Sequence, residues 1–189
     1  MTREGIVGRL LSASLHQSIS DVLPTRLEFY EGWLRPESLH DGRLGRAPLV
    51  AVLSFLRQEG PAYPEVMARA GTYAADWTLA DLSRLRRAAI GAAPERLRRR
   101  LALGLARGFV RGTFHGSRAS VRWRKGVGRV DIKGSLFCDV RAPAAAPLCG
   151  FYGAAITRLM SGFTTAADVR TEACLATGGD GCVITVARP

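Results

Sequence analysis

The chain of 189 residues is 47% hydrophobic and 23% charged, which suits one globular domain that needs no disulfides to bury a core. Its formal net charge of +11 favours acidic partners, such as nucleic acid, anionic lipid or an acidic protein. No apolar run is long enough to span a membrane, and the N-terminal residues lack a secretory signal pattern, so we expect a cytoplasmic protein.

The first two-thirds of the sequence has helical periodicity. Apolar residues recur every three or four positions from Ile6 to Val22, which predicts an amphipathic helix that ends near Pro24. A short helix is predicted over 26–34, and the stretch from Pro36 to Arg46, which contains Gly, Pro and Asp, is predicted to be a surface loop. Further helices are predicted at about 47–58, 62–76 and 79–90.

The clearest helix begins at Pro94, with Glu95 in its first turn. Four residues at helical spacing form its predicted apolar face: Leu97, Leu101, Leu105 and Phe109. Arginines occupy much of the remaining circumference, at Arg98, Arg99, Arg100 and Arg107. A solvated face is the simpler interpretation of these arginines.

Beyond Gly116 the periodicity changes from helical to alternating. Apolar and polar residues alternate on either side of a turn at 125–128, which predicts a β-hairpin. A helix is predicted over 149–161 and two further strands near 166–174 and 182–187. The order favours an α+β fold in which N-terminal helices pack on an antiparallel sheet. We expect a single domain over 1–189, mainly helical in 1–115 and built of hairpin, helix and hairpin in 116–189.

Three cysteines form the most informative constellation. Cys174 and Cys182 end one predicted strand and begin the next, so an antiparallel return can bring their sulfurs together, and Cys149 stands at a helix start that stabilises thiolate. One further ligand would complete a tetrahedral zinc site, and strand alternation puts Glu172 on the face of Cys174. The spacing is not a CxxC knuckle, so buried cysteines packed as small hydrophobic residues are the alternative. Cys138 is predicted to be a buried thiol outside the site.

The last third of the chain resembles the 4-vinyl-reductase domain family, which is related to the sensor domains of phenol-responsive transcription activators and to TRAPP-type subunits. The most specific part is the segment from Glu172 to Val186, with a strand-final Cys, a Gly four residues later and a second Cys four residues beyond. The segments 128–135 and 149–156 also match. The upstream helices fit the family in order but share no motif with it.

The resemblance implies an α+β domain, often a homodimer through its helices, with a pocket for hydrophobic or aromatic ligands. In the phenol sensors the matching cysteines and a glutamate hold zinc near that pocket, which here implies Cys149, Cys174 and Cys182. The family glutamate commonly lies three residues before the first hairpin Cys, where this sequence has Thr171. A one-residue shortening would leave Glu172 as the ligand. The family name also implies reduction of a chlorophyll-precursor vinyl group.

Phenolic, fatty-chain or tetrapyrrole ligands need a mostly apolar cavity with a few polar anchors. Phe151 and Tyr152 have the strongest claim to line it because they follow Cys149, while His115 and Trp123 are candidate anchors for a polar group. Core packing is the alternative role of the aromatic residues. The full set of candidate ligand-binding residues is Tyr73, Trp77, Phe109, His115, Trp123, Phe151 and Tyr152.

A reductase acting alone would need a nucleotide-binding site for its hydride donor. The Gly126-Val127-Gly128 segment lies in a predicted hairpin turn rather than between a strand and a helix, so it is not such a site. A zinc ion closed by three thiolates and a carboxylate would be structural. We therefore expect a small-molecule binding or sensing domain rather than a self-sufficient enzyme, of which an accessory protein of bacteriochlorophyll synthesis is one form.

The alternative function is an arginine-rich regulatory protein that contacts nucleic acid or an acidic protein partner. The arginines at 84, 86, 87 and 96–100 could face phosphates, and such contacts weaken steeply with salt. Nucleic acid is a less favoured partner, because the excess positive charge comes from arginine, which high-GC coding also enriches.

Overall fold

The described residues of the computed structural model are 8–34, 45–140, 142–163 and 166–188. Ile6, Val7 and most of the predicted loop from Pro36 to Arg46 lie outside these ranges. Helices make up most of the described residues before the sheet: α1 (Arg9–Val22), α2 (Leu27–Leu34), α3 (Arg46–Gln58), α4 (Ala62–Ala80), α5 (Arg84–Ala92) and α6 (Glu95–Thr113).

The boundary between α4 and α5 differs from the predicted one. The sequence predicts a helix over 79–90, whereas α4 continues to Ala80 and α5 begins at Arg84. Ser83 causes this division, because its side-chain oxygen accepts the backbone N–H of Arg86 and so caps the start of α5.

The buried face of α6 agrees with the predicted one only in the second half of the helix. Leu105 and Phe109 are buried as expected, but Leu97 is 48% exposed and Leu101 is 40% exposed. The buried stripe instead begins with Arg99 and includes small and branched residues that pack on the sheet and on the last helix: Ala102, Leu103, Ala106, Val110 and Thr113. The prediction was wrong for the first turns of this helix because the large apolar residues there have no element to cover them among the described residues.

A four-stranded antiparallel sheet follows, with the order β1-β2-β4-β3. Strands β1 (Arg118–Arg124) and β2 (Val127–Lys133) form the predicted hairpin, and β3 (Asp168–Ala173) and β4 (Cys182–Ala187) form the second one. Strand β4 pairs with β2 in the register Ile132↔Cys182 to Gly128↔Val186. The alternate residues Val130, Ile132, Ile184 and Val186 are buried, so one face of the sheet meets the helices.

Helix α7 (Gly150–Ser161) joins the two hairpins and packs mainly against α4, with further contacts to α6 and β3. Gly71 on α4 allows the close approach, because a Cβ at this position would lie 2.2 Å from the carbonyl oxygen of Phe151. The expectation of an α+β fold with helices packed on an antiparallel sheet is confirmed. Within the described ranges, no helix combines the length and apolar character that crossing a membrane requires.

Candidate metal centre and adjoining pocket

All four cysteines of the chain meet at one buried point. Cys138 lies on a short 3-10 turn after β2, Cys149 is the N-cap residue of α7, Cys174 follows β3 and Cys182 begins β4. The four Sγ atoms all lie within 4.8 Å of one another. The cysteines are free thiols, and none is more than 3% exposed. Residues from four separate segments of the chain therefore converge on a space the size of a single ion.

The four sulfurs are close enough together to hold a metal ion. The Sγ atom of Cys138 lies 3.3 Å from that of Cys174 and 3.3 Å from that of Cys182. Four thiolates at the usual Zn–S distance of about 2.3 Å would have sulfurs about 3.8 Å apart. The two measured Sγ–Sγ distances are about 0.5 Å shorter than this value, so those sulfurs would have to move slightly apart to enclose a metal.

Glu172 lies outside this cluster. Its side chain is 50% exposed and forms an ion pair with Arg129, whose Nη1 lies 3.4 Å from Oε2. Regular alternation along β3 would put Glu172 on the face of Cys174, but the pairing with β4 shifts between Thr171 and Ala173. A bulge of this kind inserts an extra residue and turns a side chain towards the other face. The carboxylate is therefore directed away from Cys174, which corrects its expected place beside the sulfurs.

Cys138 takes the place that the sequence argument gave to Glu172. It is buried as predicted, but it is not apart from the other cysteines. A hydrogen bond from α3 stabilises the turn that contains Cys138: the guanidinium of Arg57 donates to the carbonyl oxygen of Phe137 at 2.9 Å. Nothing in the local sequence signals this position, because Cys138 lies in an apolar stretch and comes within reach of the others only when the loop after β2 folds back.

Hydrogen bonds among the thiols shift the pKa values of Cys149 and Cys182 in opposite directions. Cys138 and Cys149, together with the backbone N–H of Leu175, stabilise the thiolate of Cys182 and lower its pKa below the ordinary value for cysteine. The pKa of Cys149 is raised because its thiol hydrogen-bonds to Cys138 and Cys182. A thiolate within a buried sulfur cluster is the form that binds a soft or borderline cation.

A pocket of about 690 Å³ adjoins the sulfur cluster, and Cys138 belongs to both. Its lining includes residues of the loop after β2 and, from the turn between β3 and β4, Leu175 and Ala176. Arg46 and Asp139 form an ion pair at the pocket and supply its charged groups. Apolar residues that line it include Phe114, Leu136, Val140 and Leu175.

The residues predicted to bind a ligand do not line this pocket, and they do not converge at one site. Phe109, Phe151 and Tyr152 meet in the core with Phe137, and the ring centroids of Phe137 and Phe151 are 4.7 Å apart. The hydroxyl of Tyr152 lies 3.4 Å from that of Ser117. Burial raises the pKa of Tyr152 to about 12. These aromatic rings therefore belong to the packed core, and the hydroxyl of Tyr152 is the polar group at its edge.

The other four candidates lie elsewhere. Tyr73 and Trp77 stack on the outer side of α4, where the hydroxyl of Tyr73 donates to Asp21 on α1. His115 is exposed in the turn between α6 and β1. Trp123 lies near the turn of the first hairpin and lines a second, basic pocket. The spacing of these residues along the chain could not predict that they lie far apart, since the position of each residue depends on how its helix or strand packs.

No family model matches the sequence, and no curated protein matches it. Among solved structures, the chain is similar to the phenol-responsive sensory domain of the transcription activator PoxR, crystallised with phenol. The TM-score is 0.54 and the sequence identity 17%, with 77% of each chain covered. The chain therefore has the fold of this sensory domain.

Proposed function

We propose that the chain is a small-molecule sensing domain in which a structural zinc ion holds the walls of the ligand pocket together. Cys138, Cys149, Cys174 and Cys182 would bind the zinc. The observation that carries the proposal is the position of Cys138, which belongs to the sulfur cluster and also to the lining of the 690 Å³ pocket. The same metal would fix both the loop after β2 and the turn before β4, which both contribute residues to the pocket lining.

Four thiolates would close the coordination sphere, so the metal would have a structural and not a catalytic role. Such a site carries a net negative charge, which the surroundings can offset. Arg57 lies beside it, hydrogen-bonded to the carbonyl oxygen of Phe137, and the N–H of Leu175 points to Cys182. The zinc would supply a cross-link between segments that are distant in the sequence and would thereby stabilise the pocket.

The ligand we propose is a hydrophobic or aromatic molecule with a polar group. The pocket lies within the size range of small-molecule sites, and its apolar lining is combined with the Arg46–Asp139 pair, which can orient a hydroxyl or carboxyl group. The fold is shared with a domain crystallised with phenol. A tetrapyrrole is a larger member of the same ligand class, and presenting an intermediate of bacteriochlorophyll synthesis would be one form of this function.

Native mass spectrometry of protein purified without chelator tests whether the chain binds zinc. We expect a mass increase of one zinc ion per chain, lost under denaturing conditions, and a lower melting temperature after chelation. A metal-free protein that melts at the same temperature with and without added zinc would contradict the zinc proposal.

Calorimetric titration with phenol and with a free-base porphyrin tests whether the pocket binds a ligand of this class. Ala142 lines the pocket and Ala146 is an exposed residue of the same loop outside it. Ala142→Trp should weaken binding at least about tenfold by filling the space, whereas the matched variant Ala146→Trp should leave affinity unchanged. Equal affinity in both variants, or no binding of either probe to the zinc-loaded protein, would rule out this pocket.

We also propose a homodimer formed through the helices. Support comes from the aromatic residues Phe29 and Trp33 of α2, which are 46% and 40% exposed and contact Phe55 of α3. Sedimentation equilibrium should give twice the chain mass, and a concentration-independent monomer would contradict the dimer.

A further inference from the structure

A second pocket, of about 560 Å³, lies at the opposite end of strand β2 from the sulfur cluster. The cluster adjoins Ile132, which pairs with Cys182, whereas this pocket lies beside the hairpin turn that precedes Gly128. It is enclosed by the first turns of α6, the β1–β2 turn and the end of the described chain. Its lining residues are Arg96, Arg99, Arg100, Trp123, Lys125, Gly126, Val127 and Arg188.

Positive charge dominates this second pocket. Five of its lining residues are cationic and none is acidic. Outside the lining, Glu95 pairs with two of the cations: its Oε1 lies 3.1 Å from Nη2 of Arg99 and 3.7 Å from Nη2 of Arg188. One carboxylate cannot balance five cations, so the pocket is suited to a multiply charged anion.

Arg99 is the one buried cation of this pocket, whereas the other four cationic side chains are exposed. The residue is only 8% exposed, and its Nε atom is buried without a hydrogen-bond partner among the described residues. Buried guanidinium groups normally have their donors satisfied, since an unpaired donor removed from water is costly. Glu95 takes part of this hydrogen-bonding capacity, and an anion in the pocket would take more.

Trp123 supplies an aromatic surface in the same pocket. Its ring packs over Gly128, where a Cβ would lie 3.0 Å from Cζ2 of the indole and 2.5 Å from Cδ2 of Leu103. The indole N–H has no partner among the described residues, and no other aromatic ring of the described chain stacks on it. A half-buried indole that lines a pocket beside several cations is suited to a ligand that joins an aromatic ring to phosphates.

We propose that this pocket binds a nucleoside polyphosphate, with its phosphates on Arg99, Arg100 and Lys125 and its base against Trp123. The pocket has the volume of a small-molecule site, and its cations line a concavity under the hairpin turn. A small anion fits this arrangement better than an extended nucleic acid strand, which requires cations along a continuous track. The site shares no lining residue with the pocket proposed for the hydrophobic ligand.

The experiment is a titration of the full chain with adenosine triphosphate, followed by tryptophan fluorescence. The chain has three tryptophans, and the double variant Trp33→Phe, Trp77→Phe leaves Trp123 as the reporter. We expect saturable quenching by the nucleotide. Inorganic triphosphate should bind at least about fivefold more weakly, and adenosine weaker still, because each fragment makes only part of the contacts.

Two arginines of α6 provide a matched pair of variants. Arg100→Ala removes a charge from the pocket, and Arg107→Ala removes the same charge from an exposed position outside it. Arg100→Ala should reduce the affinity for adenosine triphosphate about tenfold and Arg107→Ala by less than about twofold, with both variants melting like the parent. This pair separates a specific contact from the general field of a basic protein.

Three results would overturn the proposal. An equal loss of affinity in both variants would mean that the nucleotide is attracted non-specifically by the basic protein. Inorganic triphosphate that binds as tightly as adenosine triphosphate would show that Trp123 does not contact the base. A single-stranded oligonucleotide that binds more tightly than adenosine triphosphate, with a steep salt dependence, would assign the surface to nucleic acid. None of these measurements depends on zinc or on the hydrophobic ligand, so they test this site alone.

Discussion

The Sγ atom of Cys138 lies 3.3 Å from that of Cys182, although 44 residues separate them in the sequence. The first residue is on a 3-10 turn after β2 and the second begins β4, the strand that pairs with β2. Because β2 and β4 are neighbours in the sheet, the turn that leaves β2 passes the start of β4. This relationship makes Cys138 the fourth member of the sulfur cluster.

Variants of Cys138 and Glu172 should therefore show which of these two residues is the fourth ligand. Cys138→Ser should lower zinc occupancy to well below one ion per chain and reduce thermal stability, because binding free energy at a structural site is also folding free energy. Glu172→Gln should keep full occupancy, since its carboxylate is exposed and paired with Arg129. Metal analysis and thermal denaturation of the two variants measure this. Zinc loss in Glu172→Gln with retention in Cys138→Ser would restore the carboxylate as ligand.

Acidification should release zinc from the proposed site. Zinc requires thiolates, and protons compete for the same sulfur atoms, so affinity must fall as the pH falls. We expect full occupancy near pH 8 and loss of zinc between roughly pH 6 and 4, as is usual when thiolates are protonated. A chromogenic chelator that reports free zinc across this range measures the release. Occupancy that is independent of pH down to about 4 would count against ligation by thiolates.

The close contact between α4 and α7 predicts opposite effects at two glycines. Gly71→Ala should destabilise the protein by about 1–3 kcal/mol, because the new methyl would overlap the carbonyl of Phe151 and push α7 outward. Gly153→Ala, on α7 itself with open space around it, should stabilise by up to about 1 kcal/mol through helix propensity. Urea denaturation gives both values. Stabilisation in both variants would show that the helices can separate freely.

Tyr152 should make the protein sensitive to alkali. Burial raises its pKa from 10.0 to about 12, so the neutral form is favoured in the folded state. The unfolded chain loses this proton first, near pH 10, and the stability that depends on it is present below pH 10 and is lost as the pH rises to 12. The loss corresponds to roughly 3 kcal/mol, from about 1.4 kcal/mol for each pKa unit.

The variant Tyr152→Phe removes this titration. It should lose less stability than the parent protein between pH 10 and 12, while differing by only about 1 kcal/mol at pH 8, because the hydroxyl contacts are long. Other buried tyrosines, such as Tyr63 with its pKa raised to about 12, contribute equally to both proteins. Identical alkaline profiles would show that Tyr152 is not buried in the neutral form.

The sequence by itself determined most of the helices and strands, the α+β class and three of the four clustered cysteines, because these depend on periodicity and on strand ends that can be read locally. The tertiary structure alone decided the rest of the cluster. A bulge at Glu172 broke the alternation that placed it beside Cys174, and the fold of the loop after β2 brought in Cys138. Only the tertiary structure also separated the predicted ligand residues and grouped Trp123 with the arginines of α6. Contacts between residues distant in the chain depend on how elements pack, and no local pattern encodes that packing.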